Sequence, residues 1–528
     1  MPQSGIARAY EQRLAALVNA GASRALQGGR KGVEKESLRV TPDGRVSQRP
    51  HPKALGSALT SEHITTDYSE ALIELVTPTF TTSWELLQYL TDLHQFVYRH
   101  LGDELLWATS MPCVLGGDAS IPIADYGTSD VGRMKSVYRY GLGLRYGRMM
   151  QAISGVHFNY SFPEPFWPVL ADVLKSRASD QPFVSEQYFA LLRNYRRHGW
   201  IVHYLFGTSP AVCESFAAGR GDHGLEIWGP GTLYGRYATS LRMSDLGYRN
   251  KNQAGLSVSV NGLDEYVRDM TRAISTPSPE FARLGVNVDG QWRQLNANLL
   301  QIENEYYAFI RPKRVAHSGE RPTKALKRAG VEYVEMRSLD VSAFDPVGVN
   351  QNKLRFLEAF AAFCVLTPSP PIEAGEQAEL DGNHVTVARR GREPGLKLQA
   401  GGRAVDMRTW AGEILDAMEG PCEFLDGSSQ ERSYAAALAV QRQKLLDVET
   451  TPSARLLNEM RTTGESFFRL ARRISADHKQ YFLELHAPDE ARMREFEAEA
   501  AESLAAQAAL EAKQQPPFEE YLRTYFAQ

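Results

Sequence analysis

The stretch GVEKESLRV at residues 32–40 sets two carboxylates, Glu34 and Glu36, in an apolar, strand-like context. At a strand's period of two, both point to one face, about 7 Å apart along the chain. Like charges at that spacing cost a fold stability unless cations or water surround them. The pattern recurs: Asp67, Glu70 and Glu74 in DYSEALIELV, Glu303 and Glu305 in QIENEYYAF, and Glu335 in VEYVEMRSLDV. In GVHFNYSF, His157 shares a strand face with Asn159 and Ser161. A single strand glutamate ordinarily faces water, and a lone strand histidine is ordinarily a hydrogen-bonded polar group. For Glu303 and Glu305 the solvated face is the favoured reading, although Tyr307 continues their stripe. Taken together, carboxylates bracketed by apolar residues are better explained by one shared surface that binds cations. An oxygen-rich set with one imidazole suits Mg²⁺ or Mn²⁺ rather than zinc or an iron–sulfur cluster.

Hard divalent cations on an acidic surface point to phosphate chemistry, because the metal bridges carboxylates to phosphate oxygens. Arg242, Lys251, Arg311, Lys313, Arg314 and Arg337 offer positive charge for a transferred phosphoryl or a substrate carboxylate. The chain has no G-x-x-x-x-G-K-[ST], and GLGLRYG at 141–147 lies inside a helical pattern, so P-loop and dinucleotide sites fit poorly. These residues alone imply a Mg²⁺-dependent phosphoryl-transfer or ligase enzyme. A phosphatase remains an alternative at this point.

The elements that must position these groups follow from periodicity. Residues 1–30 read as helical, and TPDG at 41–44 as a hairpin turn. DYSEALIELVTPT reads as a helix running into a strand. Residues 82–103 read as a helix with Trp84, Leu87, Leu90, Leu93 and Val97 on its apolar seam. A helix leading into VHFNYSF, a helix over 183–208, and strands at LSVSV (256–260), 296–314 and 330–341 complete the first 350 residues. The remainder is mainly helical and ends in an Ala/Glu-rich segment at 488–516 with a weak apolar stripe, read as an exposed docking helix. Strands and helices in this order, without regular βαβ units, give an α+β fold. The expected organisation is a catalytic core over 1–350 and a helical region over 351–528 packed on it.

The chain has 528 residues, 43% of them apolar and 23% charged, with net charge −4. Basic residues are dispersed, so nucleic acid is not an expected partner. No run of 18 apolar residues and no leader-like stretch is present, so neither a membrane span nor secretion is expected. Four scattered cysteines predict neither a disulfide scaffold nor a zinc knot, and a cytoplasmic setting with reduced thiols follows.

Together these segments resemble the glutamate–cysteine ligase family of the proteobacterial type. The resemblance rests on GVEKESLRV, LGSALTSEHITTDYSEALIELVTP (55–78), SMP (110–112), YGTSD (126–130), QAISGVHFNYSFP (151–163), YATSLRMSDLGYRNK (237–251), LQIENEYYAFIRPKR (300–314) and GVEYVEMRSLDV (330–341), in the family's order. It implies a glutamine-synthetase-like core, in which a curved, mainly antiparallel sheet forms a funnel surrounded by helices. It implies ATP as co-substrate, two or more Mg²⁺ ions (with Mn²⁺ as a substitute), L-glutamate and L-cysteine as substrates, and product inhibition by glutathione. The implied reaction passes through γ-glutamyl phosphate to γ-glutamylcysteine. Carried over by position, the metal ligands fall on Glu34, Glu36, Asp67, Glu74, His157 and Glu335. Arg242 and Arg337 fall near the transferred phosphoryl, and Tyr138, Gln151, Tyr248 and Tyr307 around the cysteine pocket. The resemblance also implies a monomer. The chain departs from the family's best-known member, which has a cysteine pair in the region after residue 375, in having no cysteine between Cys364 and Cys422. A related carboxylate–amine ligase with another acceptor, or a non-catalytic metal-binding protein on the same fold, are the competing readings.

Overall fold

The computed structural model describes residues 4–112, 114–219, 221, 223–247, 256–317, 319–486 and 488–528. One seven-stranded antiparallel sheet dominates it. Its strands are β1 (Arg30–Val40), β2 (Ile64–Thr66), β3 (Leu72–Val76), β4 (Leu105–Leu106), β5 (Gly155–Ser161), β6 (Ile310–Lys313) and β7 (Tyr333–Asp340). Their spatial order is β6-β7-β5-β1-β3-β2, with β4 beside the far end of β1. A register shift between Met336 and Leu339 interrupts the pairing of β7 with β5, the kind of irregularity that bends a sheet.

Period-two alternation divides the central strands between two environments. Val33, Ile73, Leu75, Val156, Phe158, Val334 and Met336 belong to the large core shared with the helices. Helix Gln351–Leu366, almost entirely buried, lies at the centre of that packing. The alternate positions carry the carboxylates. Helix Ser83–His100 starts on an N-cap, in which the Thr82 hydroxyl accepts from the Glu85 amide and donates to the Glu85 carboxylate. Leu90, Leu93 and Val97 of the expected seam are buried, but Trp84 is 57% exposed and Leu86 takes the inward position of that first turn.

Several expected elements differ. Residues 67–71 form the turn of the β2–β3 hairpin, closed by the Asp67 amide donating to the Leu72 carbonyl, and not a helix. LSVSV has no partner strand among the described residues: the Ser259 amide donates instead to Asp269, and Val258 and Val260 are buried. Of 296–314 only Ile310–Lys313 is a strand, while Glu303–Glu305 is a 3₁₀ turn with both glutamates buried. That corrects the solvated reading. Glu303 accepts from Arg321 and Thr323, and Glu305 from Arg145, Tyr146 and the Gln301 amide. The hairpin turn at 41–44 is present, with Gly44 at φ +79°, and returns to a single bridge between Val40 and Val46. From residue 351 the chain is helical apart from the hairpin Lys397–Ala400 and Arg403–Asp406. No helix among the described residues is long and apolar enough to cross a membrane.

Candidate active site

Strand register builds the site. Antiparallel pairing sets Glu36 opposite Glu74, Glu34 opposite His157, Thr65 opposite Glu74, and both Asn159 and Arg311 opposite Glu335. Directly opposed residues share a face, so carboxylates distant in sequence converge on one surface. That surface forms the floor of a cavity of about 350 Å³, which Glu34, Glu36, Asp67, Glu74, His157 and Glu335 all line. Ligand atoms of Glu34, Glu74 and His157 lie within 4.8 Å of one another. Glu34 accepts from Asn159 at 2.9 Å, and its other oxygen lies 3.1 Å from His157 Nδ1. Glu335 Oε1 is 3.0 Å from Arg337 Nη1, 3.6 Å from Lys313 Nζ and 3.8 Å from His157 Nδ1. Its Oε2 is buried without a hydrogen-bond partner among the described residues.

The carboxylates are not equivalent. Burial and the neighbouring Asp67 push the Glu36 carboxyl up to about 8, against Arg242, Arg337 and the Gly155 amide. Burial, Glu34 and Asp67 raise Glu74 well above the ordinary range. Burial also works against Glu335, but Lys313, Arg337 and His157 outweigh it and hold that group well below the ordinary range. Burial and Glu335 push Glu34 upward, yet its hydrogen bond to His157 leaves it lowered. His157 itself is lowered by burial and Arg337, which favours the neutral imidazole a metal requires. The unpartnered Glu335 oxygen, the clustered oxygens and the neutral imidazole therefore fit a hard divalent cation. Protons on Glu36 and Glu74 must leave when a cation arrives. We expect Mg²⁺ binding near pH 7 to release protons and to tighten as pH rises through about 8, where Glu36 ionises. Calorimetry in buffers of different ionisation enthalpy reads this directly, and a buffer-independent enthalpy would contradict it.

The opposite wall comes from helix Asp130–Tyr146, capped by Ser129, which accepts from the Gly132 amide. Lys135, Tyr138, Arg139, Leu142 and Tyr146 of this helix line the cavity. Burial and Arg139 lower Lys135 to about 8. Tyr307, Gln151, Arg311, Lys313 and Arg337 also face the cavity. Arg242 is not among the lining residues. It is buried behind Gly155, where a Cβ would overlap its guanidinium, and it donates to the Arg337 carbonyl at 3.1 and 3.2 Å. Asp340 anchors that arginine's 3₁₀ turn, Leu241–Met243, by accepting from the Ser240 and Ser209 hydroxyls and the Thr208 amide. Arg314 lies 3.5 Å from Glu332, and Glu70 is spent on the His51 and Asp125 amides. Tyr248 and Lys251 lie outside the described residues. Sequence reasoning missed Lys135, Arg139 and Tyr146. Their spacing from residue 135 through 138, 139, 142 and 146 is that of one helical face, and this polar stripe was the available signal.

An antiparallel sheet whose floor of carboxylates faces a wall of cations and tyrosines defines an α+β protein with a site suited to phosphate chemistry. The sequence model of the family described as glutamate–cysteine ligase matches residues 14–387. The chain belongs to the glutamate–cysteine ligase family. Its reaction is the ATP-dependent ligation of glutamate to cysteine, giving γ-glutamylcysteine, the first step of glutathione biosynthesis. A glutamate–cysteine ligase of Alcanivorax borkumensis is 49% identical over 521 residues, covering 98% of this chain and 99% of its own. One of Pseudomonas putida W619 is 47% identical over 496 residues, 94% of each chain. The crystal structure of the Francisella tularensis glutamate–cysteine ligase in complex with AMP matches with a TM-score of 0.89 at 35% identity, over 95% of this chain and 98% of that one. A bifunctional glutathione synthetase from Pasteurella multocida shares the fold, with a TM-score of 0.72 at 22% identity, over 90% of this chain and 55% of that one.

Proposed function

We propose that this cavity is where the γ-carboxylate of glutamate is phosphorylated and then joined to the cysteine amine. The reading is carried by the convergence of Glu34, Glu74 and His157 within 4.8 Å, beside the cations that flank Glu335. Two or more Mg²⁺ ions, or Mn²⁺ in their place, would be held by Glu34, Glu36, Asp67, Glu74, His157 and Glu335. Bound there, they would offset charge on the phosphates of ATP and on the substrate carboxylate. Arg337, with Arg242 fixed behind it, would hold the transferred phosphoryl, and Lys313 and Arg311 would extend that positive rim. Lys135 and Arg139 face the cavity as counter-charges for an amino-acid carboxylate. Tyr138, Gln151, Tyr248 and Tyr307 would form the cysteine pocket, whose aromatic rim would keep water from the acyl phosphate.

Among the described residues no thiol lines the cavity, and Cys113 lies outside them. Cys213, Cys364 and Cys422 are buried away from the cavity lining. Burial pushes the Cys213 and Cys422 thiols up to about 12. Thiols so raised are inert at neutral pH, which supports direct attack of the cysteine amine on an activated substrate. The working form would be a cytoplasmic monomer, organised as a catalytic core over 1–350 carrying a helical region over 351–528, and subject to inhibition by glutathione. ADP release with ATP, Mg²⁺ and glutamate, measured with and without cysteine while γ-glutamylcysteine is followed by mass, tests the reading. Cysteine-dependent turnover yielding that dipeptide is expected. Turnover with only some other amine would replace the acceptor, and no ADP with any amine would overturn the reading.

A further inference from the structure

The C-terminal segment beyond residue 489 lines no part of the cavity, yet it touches in turn the outer side of the elements that build the cavity's wall. Helix Glu490–Ala512 anchors through Phe496, buried against Tyr89 and Phe96. Next, Glu499 accepts from the Ser61 hydroxyl and from the Glu62 and His63 amides at 2.8, 3.0 and 3.1 Å. Ser503 accepts from the Ser57 amide at 2.9 Å. These contacts grip the loop that leads into β2, from which Thr65, Thr66 and Asp67 enter the cavity. Further on, Glu511 accepts from the Thr128 amide at 3.0 Å and Gln515 from the Asp130 amide at 2.8 Å. The Asp130 amide is one of the donors that a helix leaves without intrahelical partners, and the Thr128 amide lies just before the Ser129 cap. Finally, helix Phe518–Phe526 packs Phe518 and Leu522 with Met134, Leu295 and Ile302, and the Arg133 guanidinium lies over the Phe518 ring at 4.4 Å.

We propose that this C-terminal segment is a strap that positions helix Asp130–Tyr146 for the acceptor amino acid, with Glu511 and Gln515 as positioning residues. The proposal rests on the reading of the cavity given above. Glu511 and Gln515 act on the wall bearing Lys135, Tyr138 and Arg139. Glu34, Glu36, Glu74, His157 and Glu335 of the floor are fixed independently by strand register. Loss of the Glu511 and Gln515 acceptors therefore lets the helix start shift, while the strand-borne carboxylates stay in place. Small displacements of a positioning wall have large consequences for substrate geometry.

Steady-state kinetics of the full-length Glu511→Ala, Gln515→Ala double variant test the proposal. The KM for cysteine is expected to rise roughly three- to tenfold while kcat and the KM for Mg·ATP stay within about twofold, the signature of lost uniform binding. Glu511→Gln keeps a side-chain oxygen able to accept the Thr128 amide proton, so it should retain the parent KM. If the double variant does not accumulate, Gln515→Ala alone is expected to shift the cysteine KM in the same direction. An unchanged cysteine KM in a folded variant, or a parallel loss of every kinetic parameter that follows a lower melting temperature, overturns the strap. If the parent protein shows no cysteine-dependent turnover the functional reading fails, whereas an active parent with an indifferent variant refutes the strap alone.

Discussion

Glu335→Gln is expected to cut turnover roughly a hundredfold or more while the protein stays folded, the scale of losing several kcal/mol of transition-state charge stabilisation. Glu335 is 1% exposed and sits where Lys313, Arg337 and His157 meet, with one oxygen left for a cation. The amide keeps the shape and removes the charge, so three positive or ligating neighbours lose their common partner. Glu303→Gln is the control. That carboxylate is also buried, with Oε1 held by Arg321 and Thr323, but unlike Glu335 it does not line the cavity. Its replacement should cost stability more than rate. Comparing ADP release and melting temperature for the two variants checks the distinction, and equal, mild effects on rate would refute the assignment of Glu335.

The second large effect concerns stability. Lys31 Nζ lies 2.5 Å from Glu358 Oε2, each side chain is 1% exposed, and the Tyr434 hydroxyl donates to the same oxygen at 2.8 Å. This pair ties β1, the strand carrying Glu34 and Glu36, to helices Gln351–Leu366 and Ser433–Leu446. Glu358→Ala strands a buried ammonium and a buried hydroxyl, and is expected to destabilise the fold by about 3–5 kcal/mol. Pairing Lys31→Met with Glu358→Leu should recover most of that, because two apolar side chains replace two desolvated charges. Denaturant unfolding of both variants reads the difference. A single variant within about 1 kcal/mol of the parent would contradict the account of this pair.

The site's floor was legible because each of its strands breaks the rule that a buried position is apolar. Glu34 and Glu36 share a face by alternation alone, and His157 and Glu335 lie in unmistakable β patterns. Which carboxylate meets which is a matter of register, and nothing in β1 states that Glu36 faces Glu74. Glu303 and Glu305 alternate in the same way but occupy a 3₁₀ turn, where each is neutralised by an arginine far away in sequence or in an earlier helix. Local pattern cannot distinguish those cases, since the partner decides. The turn at 67–71 was misread for a related reason: SEA carries helical propensity, but closure of the β2–β3 hairpin overrides it. Tyr138 apart, the opposite wall escaped notice because helix Asp130–Tyr146 is polar on its cavity face and lacks the apolar stripe that usually marks a helix's inward side.

The most direct test of carboxylate activation in this cavity uses L-glutamate labelled with ¹⁸O in its γ-carboxylate. A carboxylate oxygen that attacks the γ-phosphorus of ATP stays bonded to phosphorus when the cysteine amine displaces phosphate from the acyl carbon. The account therefore predicts that one ¹⁸O per turnover appears in inorganic phosphate, alongside ADP and γ-glutamylcysteine. Unlabelled phosphate, or label carried into AMP, would contradict it.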